Sequence, residues 1–330
     1  MTSADLAAFS NNAIAFASVV YVLAFLAHLV EWVVGRTVPV TVPEQRAVAV
    51  GAGGPRPDAP DADLADTGPD QAEQAERIDR FGRIGVALTL VAGLLHLAAV
   101  VTRGLAADPV RVPWGNMYEF TVTATFGVTL MYLLLLRRYH LRWLGPVVTG
   151  FNVAILMLAV LVLYVPVGPL VPALHSYWLA IHVTAAIVAT GAFTVGGMAS
   201  LLFLVRSRAE NRGTLRTTGY IARLPQASVL DRVAYRMHAF GFPIWTFAAL
   251  IAGPIWAEYA WGRYWGWDPK EIWAFITWVV YAAYLHARAT AGWKGKAAAI
   301  IALIGLATLL FNFVGINYFF GSTSQHSYSG

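Results

Sequence analysis

The sequence predicts an all-α polytopic membrane protein of about eight transmembrane helices, with both termini on the external side. Composition comes first: 58% of the 330 residues are hydrophobic and only 12% are charged, against roughly 25% charged in a soluble domain. The apolar residues also gather in runs near the roughly 20-residue length that crosses a hydrocarbon core. Finally, the 23 Lys and Arg are segregated along the chain.

The runs place helices at about 12–34, 82–101, 118–137, 144–165, 178–205, 238–257, 272–290 and 297–317. The stretch before the first, "MTSADLAAFS", holds no Lys or Arg. A cleaved leader wants a basic start, so residues 1–34 are expected to be a retained helix. Residues 35–81 include "GAGGPRPDAPDADLADTGPDQAEQAE", too poor in apolar surface to fold alone, and are expected to form a mobile cytoplasmic linker. Residues 82–330 then form a seven-helix domain. Nineteen of the basic residues fall in 35–83, 137–142, 206–236 and 288–296, leaving Arg103, Arg111, Arg263 and Lys270 on the other side. The positive-inside rule puts the nineteen in the cytoplasm. The chain is thus expected in the cell (plasma) membrane, with residues 256–278 facing the external, periplasmic side.

The +5 net charge is explained by this topology, and a nucleic-acid partner is not expected. The absence of Cys excludes a disulfide framework, a thiol relay and Cys-ligated metals. "GAGG" is followed by no helix pattern and is no nucleotide fingerprint. No internal repeat points to a secondary transporter.

Six of the twelve Trp lie in "WAEYAWGRYWGWDPKEIWAFITW": Trp256, Trp261, Trp265, Trp267, Trp273 and Trp278. In "WGWDPKEIW", Asp268 reads as an N-cap, Pro269 as the first helical residue and Glu271 as the third, a capping box. "PWGNMYEF" repeats the device with Asn116 and Glu119. The indoles admit two readings, an interfacial belt or a platform for a large flat ligand. Haem suits a platform, and Arg263 or Lys270 would then meet its propionates; otherwise both snorkel.

Of the eight His, three lie toward the predicted external face: His175, His182 near the outer end of the fifth helix, and His326 past the last. Two of these would suffice as axial ligands of haem iron, although a lone external His is usually a surface residue. His286 lies deep in the seventh helix, where an ionisable group is a functional candidate or snorkels beside Arg288. His28 and Glu31 share a helix face near the inner side. His96 is expected to be buried and hydrogen-bonded, and His140 and His238 to lie at the inner boundary.

The run "WGRYWGWDPKEIWAFITWVVYAAYLHAR" closely resembles the Trp-rich WWD domain of haem-handling proteins, in the CcsA/ResC type (also named CcsB) of System II cytochrome c biogenesis. "PWGNMYEF", "SYWLAIHV" and "GINYFFGSTSQHSY" resemble further stretches of that family. The resemblance runs from about residue 82 to the C-terminus. It implies that haem b is carried outward as a transported substrate and presented to apocytochrome c. Its vinyl groups become thioethers to a Cys-x-x-Cys-His motif, so the chain would be the haem-presenting subunit of a haem lyase (holocytochrome c synthase). By motif match His182 and His326 are the external ligands, and His286 is the intramembrane His. The Trp-rich segment, with Trp261, Arg263, Trp265, Trp267, Asp268, Lys270 and Trp273, holds the external haem. The motifs leave open whether His175 replaces or assists His182. Implied partners are a ResB-type membrane subunit, apocytochrome c and an external thiol-reducing system. No catalytic residue beyond haem presentation is expected. A bis-His membrane electron-transfer cytochrome and a haem exporter without synthase activity are the alternatives. Release of haem would be easier at His326, on its terminal segment, than at His182.

Overall fold

The computed structural model describes residues 1–36, 69–169, 176–290, 292–320 and 324–325. The long helices are α1 (Ser3–Gly35), α2 (Pro69–Leu105), α3 (Met117–Leu136), α4 (Gly145–Val162) and α5 (Tyr177–Asn211). A one-turn helix, α6 (Tyr220–Arg223), precedes α7 (Ala227–Phe247), which runs through a π-helical turn at 248–252 into α8 (Gly253–Trp261). Then come α9 (Pro269–Ala289) and α10 (Lys296–Leu310), and a second π turn at 311–315 leads into α11 (Ile316–Phe319). Among the described residues there is no strand.

Counted as rods, the described residues form eight, and seven of these are long and apolar enough to cross a membrane. The other is α9, whose ends carry Lys270, Glu271 and Arg288. α2 begins at Pro69, well before the expected start at 82. The stretch "QAEQAERIDRFGR" is made of good helix formers and carries i,i+4 pairs, Glu76 with Arg80 and Asp79 with Arg83.

α1 packs on α2 and α4, and α5 packs on α7, α3 and α10. α5 is the most enclosed span. Its sequence "TGAFTVGGMAS" explains why, because small residues let neighbouring backbones approach. A methyl on Gly191 would lie 3.1 Å from the Gly127 carbonyl.

Most basic side chains gather at one end of the bundle, hereafter the arginine end. There Arg142 pairs with Glu31 (2.9 Å) and Asp79 (2.5 Å), and Arg288 with Asp231 (2.7 Å). Arg223 donates to the Gly35 carbonyl at 2.7 Å. The opposite, tryptophan end carries the 106–116 and 262–268 connections and the start of α1.

Two of the buried histidines behave as expected. His96 is enclosed, its Nε2 at 2.9 Å from the Val122 carbonyl and its Nδ1 at 3.3 Å from Tyr21 Oη. A carbonyl only accepts, so Nε2 carries the proton and Nδ1 accepts from the tyrosine. His28 meets Glu31 at 3.3 Å. His238 is a correction. It is not a boundary residue but wholly buried, 3.4 Å from Ser200 Oγ and packed against Phe193, Tyr281 and Tyr284. Its position near the start of an apolar run gave no sign that α7 extends back to Ala227. The second capping box is also half right. Asn116 Oδ1 accepts from the Glu119 N–H at 2.9 Å, but the Glu119 carboxylate takes the Gly115 N–H (2.8 Å) and both Arg103 and Arg111 instead.

Candidate functional site

A cavity of about 1100 Å³, mouth included, opens beneath the tryptophan-rich segment. Its walls come from α3 and the residues before it, α5, the 248–252 turn with α8, the start of α9, and the 311–315 turn. The lining is aromatic and aliphatic, with Trp114, Phe120, Trp245, Trp256 and Trp265 foremost.

His182 stands in this wall, and its ring is held on two sides. Nδ1 lies 2.8 Å from the Ala248 carbonyl, so Nδ1 carries the proton and Nε2 the lone pair. The ring also stacks nearly parallel to the indole of Trp256, 5.9 Å between centroids at 13°. The carbonyl is in reach because of the π turn. Ala248 O accepts from the Gly253 N–H, and Pro254, lacking an N–H, cannot continue regular pairing. Gly253 suits the same geometry: a Cβ there would crowd that carbonyl at 3.1 Å and the imidazole at 3.2 Å.

Three polar atoms around the cavity are buried without a hydrogen-bond partner among the described residues: Trp114 Nε1, Trp265 Nε1 and Asn312 Oδ1. Leaving such groups unpaired is costly, and each such group calls for an explanation. Lys270 and Glu271 line the cavity as well. Glu271 is engaged in capping, accepting from the N–H groups of Gly266 (2.8 Å) and Asp268 (3.0 Å).

Of the expected site residues, His182, Trp265 and Lys270 line the cavity. Trp261 backs it, edge-on to Trp256 at 4.8 Å. Trp273 packs on Phe311 at 4.2 Å, behind the second π turn. Trp267, in a left-handed conformation (φ 56°), stands edge-on to Trp265 at 5.8 Å but is exposed. Asp268 is buried as the α9 N-cap, and Arg263 donates to Gln325 Oε1 at 2.6 Å. His286 is elsewhere: it lies in the last turn of α9 at the arginine end, on the exposed face. His175 and His326 lie outside the described residues. Sequence reasoning missed Trp114, Trp245 and Asn312. Trp114 sits inside the "PWGNMYEF" motif and was findable; Asn312, in an apolar run, carried no signal beyond being polar.

Residues 114–322 match the family described as Cytochrome C assembly protein. The chain belongs to that family. The match covers every cavity-lining residue named above, so the assembly-protein family and the cavity occupy the same part of the chain. A cytochrome c biogenesis protein CcsA from Synechococcus sp. (strain JA-3-3Ab) is 33% identical over 298 residues, covering 74% of this chain and 85% of the relative. The CcsA of Guillardia theta is 33% identical over 261 residues, again covering 74% of this chain and 85% of the relative. Among solved structures, the cytochrome c haem lyase CcmF aligns with a TM-score of 0.63 at 17% identity, over 95% of this chain. This chain spans 47% of that neighbour's length, so the likeness is one of fold.

Proposed function

We propose that this member of the cytochrome c assembly family serves cytochrome c biogenesis by holding haem in the cavity beneath the tryptophan-rich segment and presenting it for covalent attachment. The observation that carries the reading is His182, an imidazole with its tautomer fixed by a backbone carbonyl in the wall of an indole-lined cavity. That arrangement orients a metal-ligating nitrogen. A porphyrin suits the rest of the lining, with apolar walls for its plate and Lys270 for a carboxylate, while Arg263 stands outside the lining on the same segment. The cargo on this reading is haem b, whose vinyl edge is still unmodified.

His326 supplies the second axial ligand. With both axial positions filled, the iron is shielded while the vinyl edge faces the mouth. When apocytochrome c docks, each of its two thiols adds S–H across one vinyl C=C, so no leaving group departs. The protein's part is to position the two reactants. The tryptophan end faces the external side, since the basic residues collect at the other end, and an external thiol-reducing system keeps the apocytochrome cysteines ready. His286 belongs to a second level. An ionisable side chain on an exposed face of a membrane helix calls for a partner, and a ResB-type subunit supplies the opposing ligand there.

A bis-His electron carrier is less well supported. Of the buried imidazoles, His96 commits both nitrogens to protein groups, and His28 and His238, on the separate helices α1 and α7, each engage one nitrogen, with Glu31 and Ser200.

The test is purification with the partner subunit and an absorption spectrum. Wild type is expected to carry low-spin haem, and His182→Ala to lose most of it. His286→Ala is expected to change a haem population that His182→Ala leaves intact. Colourless wild type from haem-fed cells, prepared gently under reducing conditions, would sink the reading.

A further inference from the structure

Asp268 does more than cap α9. A cap needs one oxygen, and Oδ1 supplies it to the Lys270 N–H at 3.0 Å. Oδ1 also accepts from Ser324 Oγ at 2.8 Å, and Oδ2 accepts from the Gln325 N–H at 2.7 Å. The carboxylate is 6% exposed, so these are charge-assisted bonds in a largely desolvated setting. Arg263 adds a third hold on the same two-residue segment through Gln325 Oε1. A chain segment 56 and 57 residues away is thus tied to the start of α9.

We propose that Asp268 is a positioning residue, a latch that fixes Ser324 and Gln325 and thereby sets where His326, the next residue, reaches. The role of His326 rests on the functional reading above; the latch itself does not. The residue type argues for it. Serine or asparagine would cap α9 as well as aspartate. Neither offers two acceptor oxygens. Asparagine has one, so it satisfies either the Lys270 N–H or the Gln325 N–H and turns an N–H group toward the other. Two fixed backbone donors on opposite sides of one side chain require a carboxylate. Asp268 on this account never touches haem.

The experiment uses the full chain purified with its partner subunit, and Asp268→Asn, which keeps a good cap. Hydrogen exchange of the C-terminal peptide containing Gln325 is expected to speed up by about tenfold or more, as loss of a charge-assisted bond implies. Haem content is expected to fall several-fold and to recover with added imidazole, which replaces a misplaced ligand but repairs no fold. Gln325→Pro removes the donor, and with it the acceptor of Arg263, without altering residue 268, and should speed exchange of the neighbouring tail amides and lower haem content even if the Asp268 variant folds poorly. Unchanged exchange in both variants would overturn the latch. Faster exchange with haem loss that imidazole leaves unrepaired would overturn its action through His326. Wild type that never carries haem would instead defeat the functional reading and the His326 half of this proposal, while the exchange data still decide the latch.

Discussion

His182 depends on a backbone carbonyl and on a side chain that is missing. Its tautomer is set by the Ala248 carbonyl, and its position by the empty space at Gly253. Gly253→Val should therefore push the imidazole aside and lower haem retention several-fold, with the melting temperature moved far less; spectra and thermal scans of the same sample check this. Glu119 makes the opposite case, a residue whose role is stability. It is 1% exposed, between Arg103 at 3.1 Å and Arg111 at 2.7 Å. Removing one partner of a buried pair leaves uncompensated charge, at about 3–5 kcal/mol. Glu119→Ala should lower the folded yield and the thermal midpoint steeply. Arg111→Met combined with Glu119→Met should recover part of that loss.

At the scale of elements, His28 acts as a wedge between helices. A Cβ on Gly85 would lie 2.7 Å from its ring, and one on Gly145 2.5 Å. Gly145→Ala is expected to destabilise by about 1–3 kcal/mol, the usual cost of overpacking. His28→Ala in the same chain should cancel most of it, a coupling that a double-mutant cycle in denaturant measures. The eight rods were legible as apolar runs, because burial in lipid leaves a helix little compositional freedom. The capping box at Asp268 was legible too, since local hydrogen bonding is written in local residues. The π turns were not. The first arises where Pro254 disturbs backbone pairing, and hydropathy averages over such a change. The burial of His238 was hidden for a related reason: it depends on Ser200, Tyr281 and Tyr284, which come from two other helices.

For the whole molecule, the distribution of charge and the absence of Cys allow a direct test of sidedness. Val110→Cys lies in the tryptophan-end connection and Thr217→Cys near the arginine end, both at exposed positions. A membrane-impermeant maleimide should label the first in intact spheroplasts and the second only after permeabilisation. The reverse pattern would invert the bundle. Of the site, the sequence made His182, Trp265 and Lys270 visible because one motif-like segment and one helix end contain them. It could not reveal Asn312, or that Trp245 and Trp256 belong to one wall, because five separate parts of the chain converge there. That convergence sets an unusual kind of constraint. Two of the walls are rods interrupted by a five-residue turn, at 248–252 and 311–315. Each rod therefore holds its upper and lower halves at a fixed angular offset. Deleting a single residue from 248–252 would swing what lies beyond it by about 100°, turning Trp256 away from the void. Such a site forgives many exchanges of side chain, yet it keeps count of its residues.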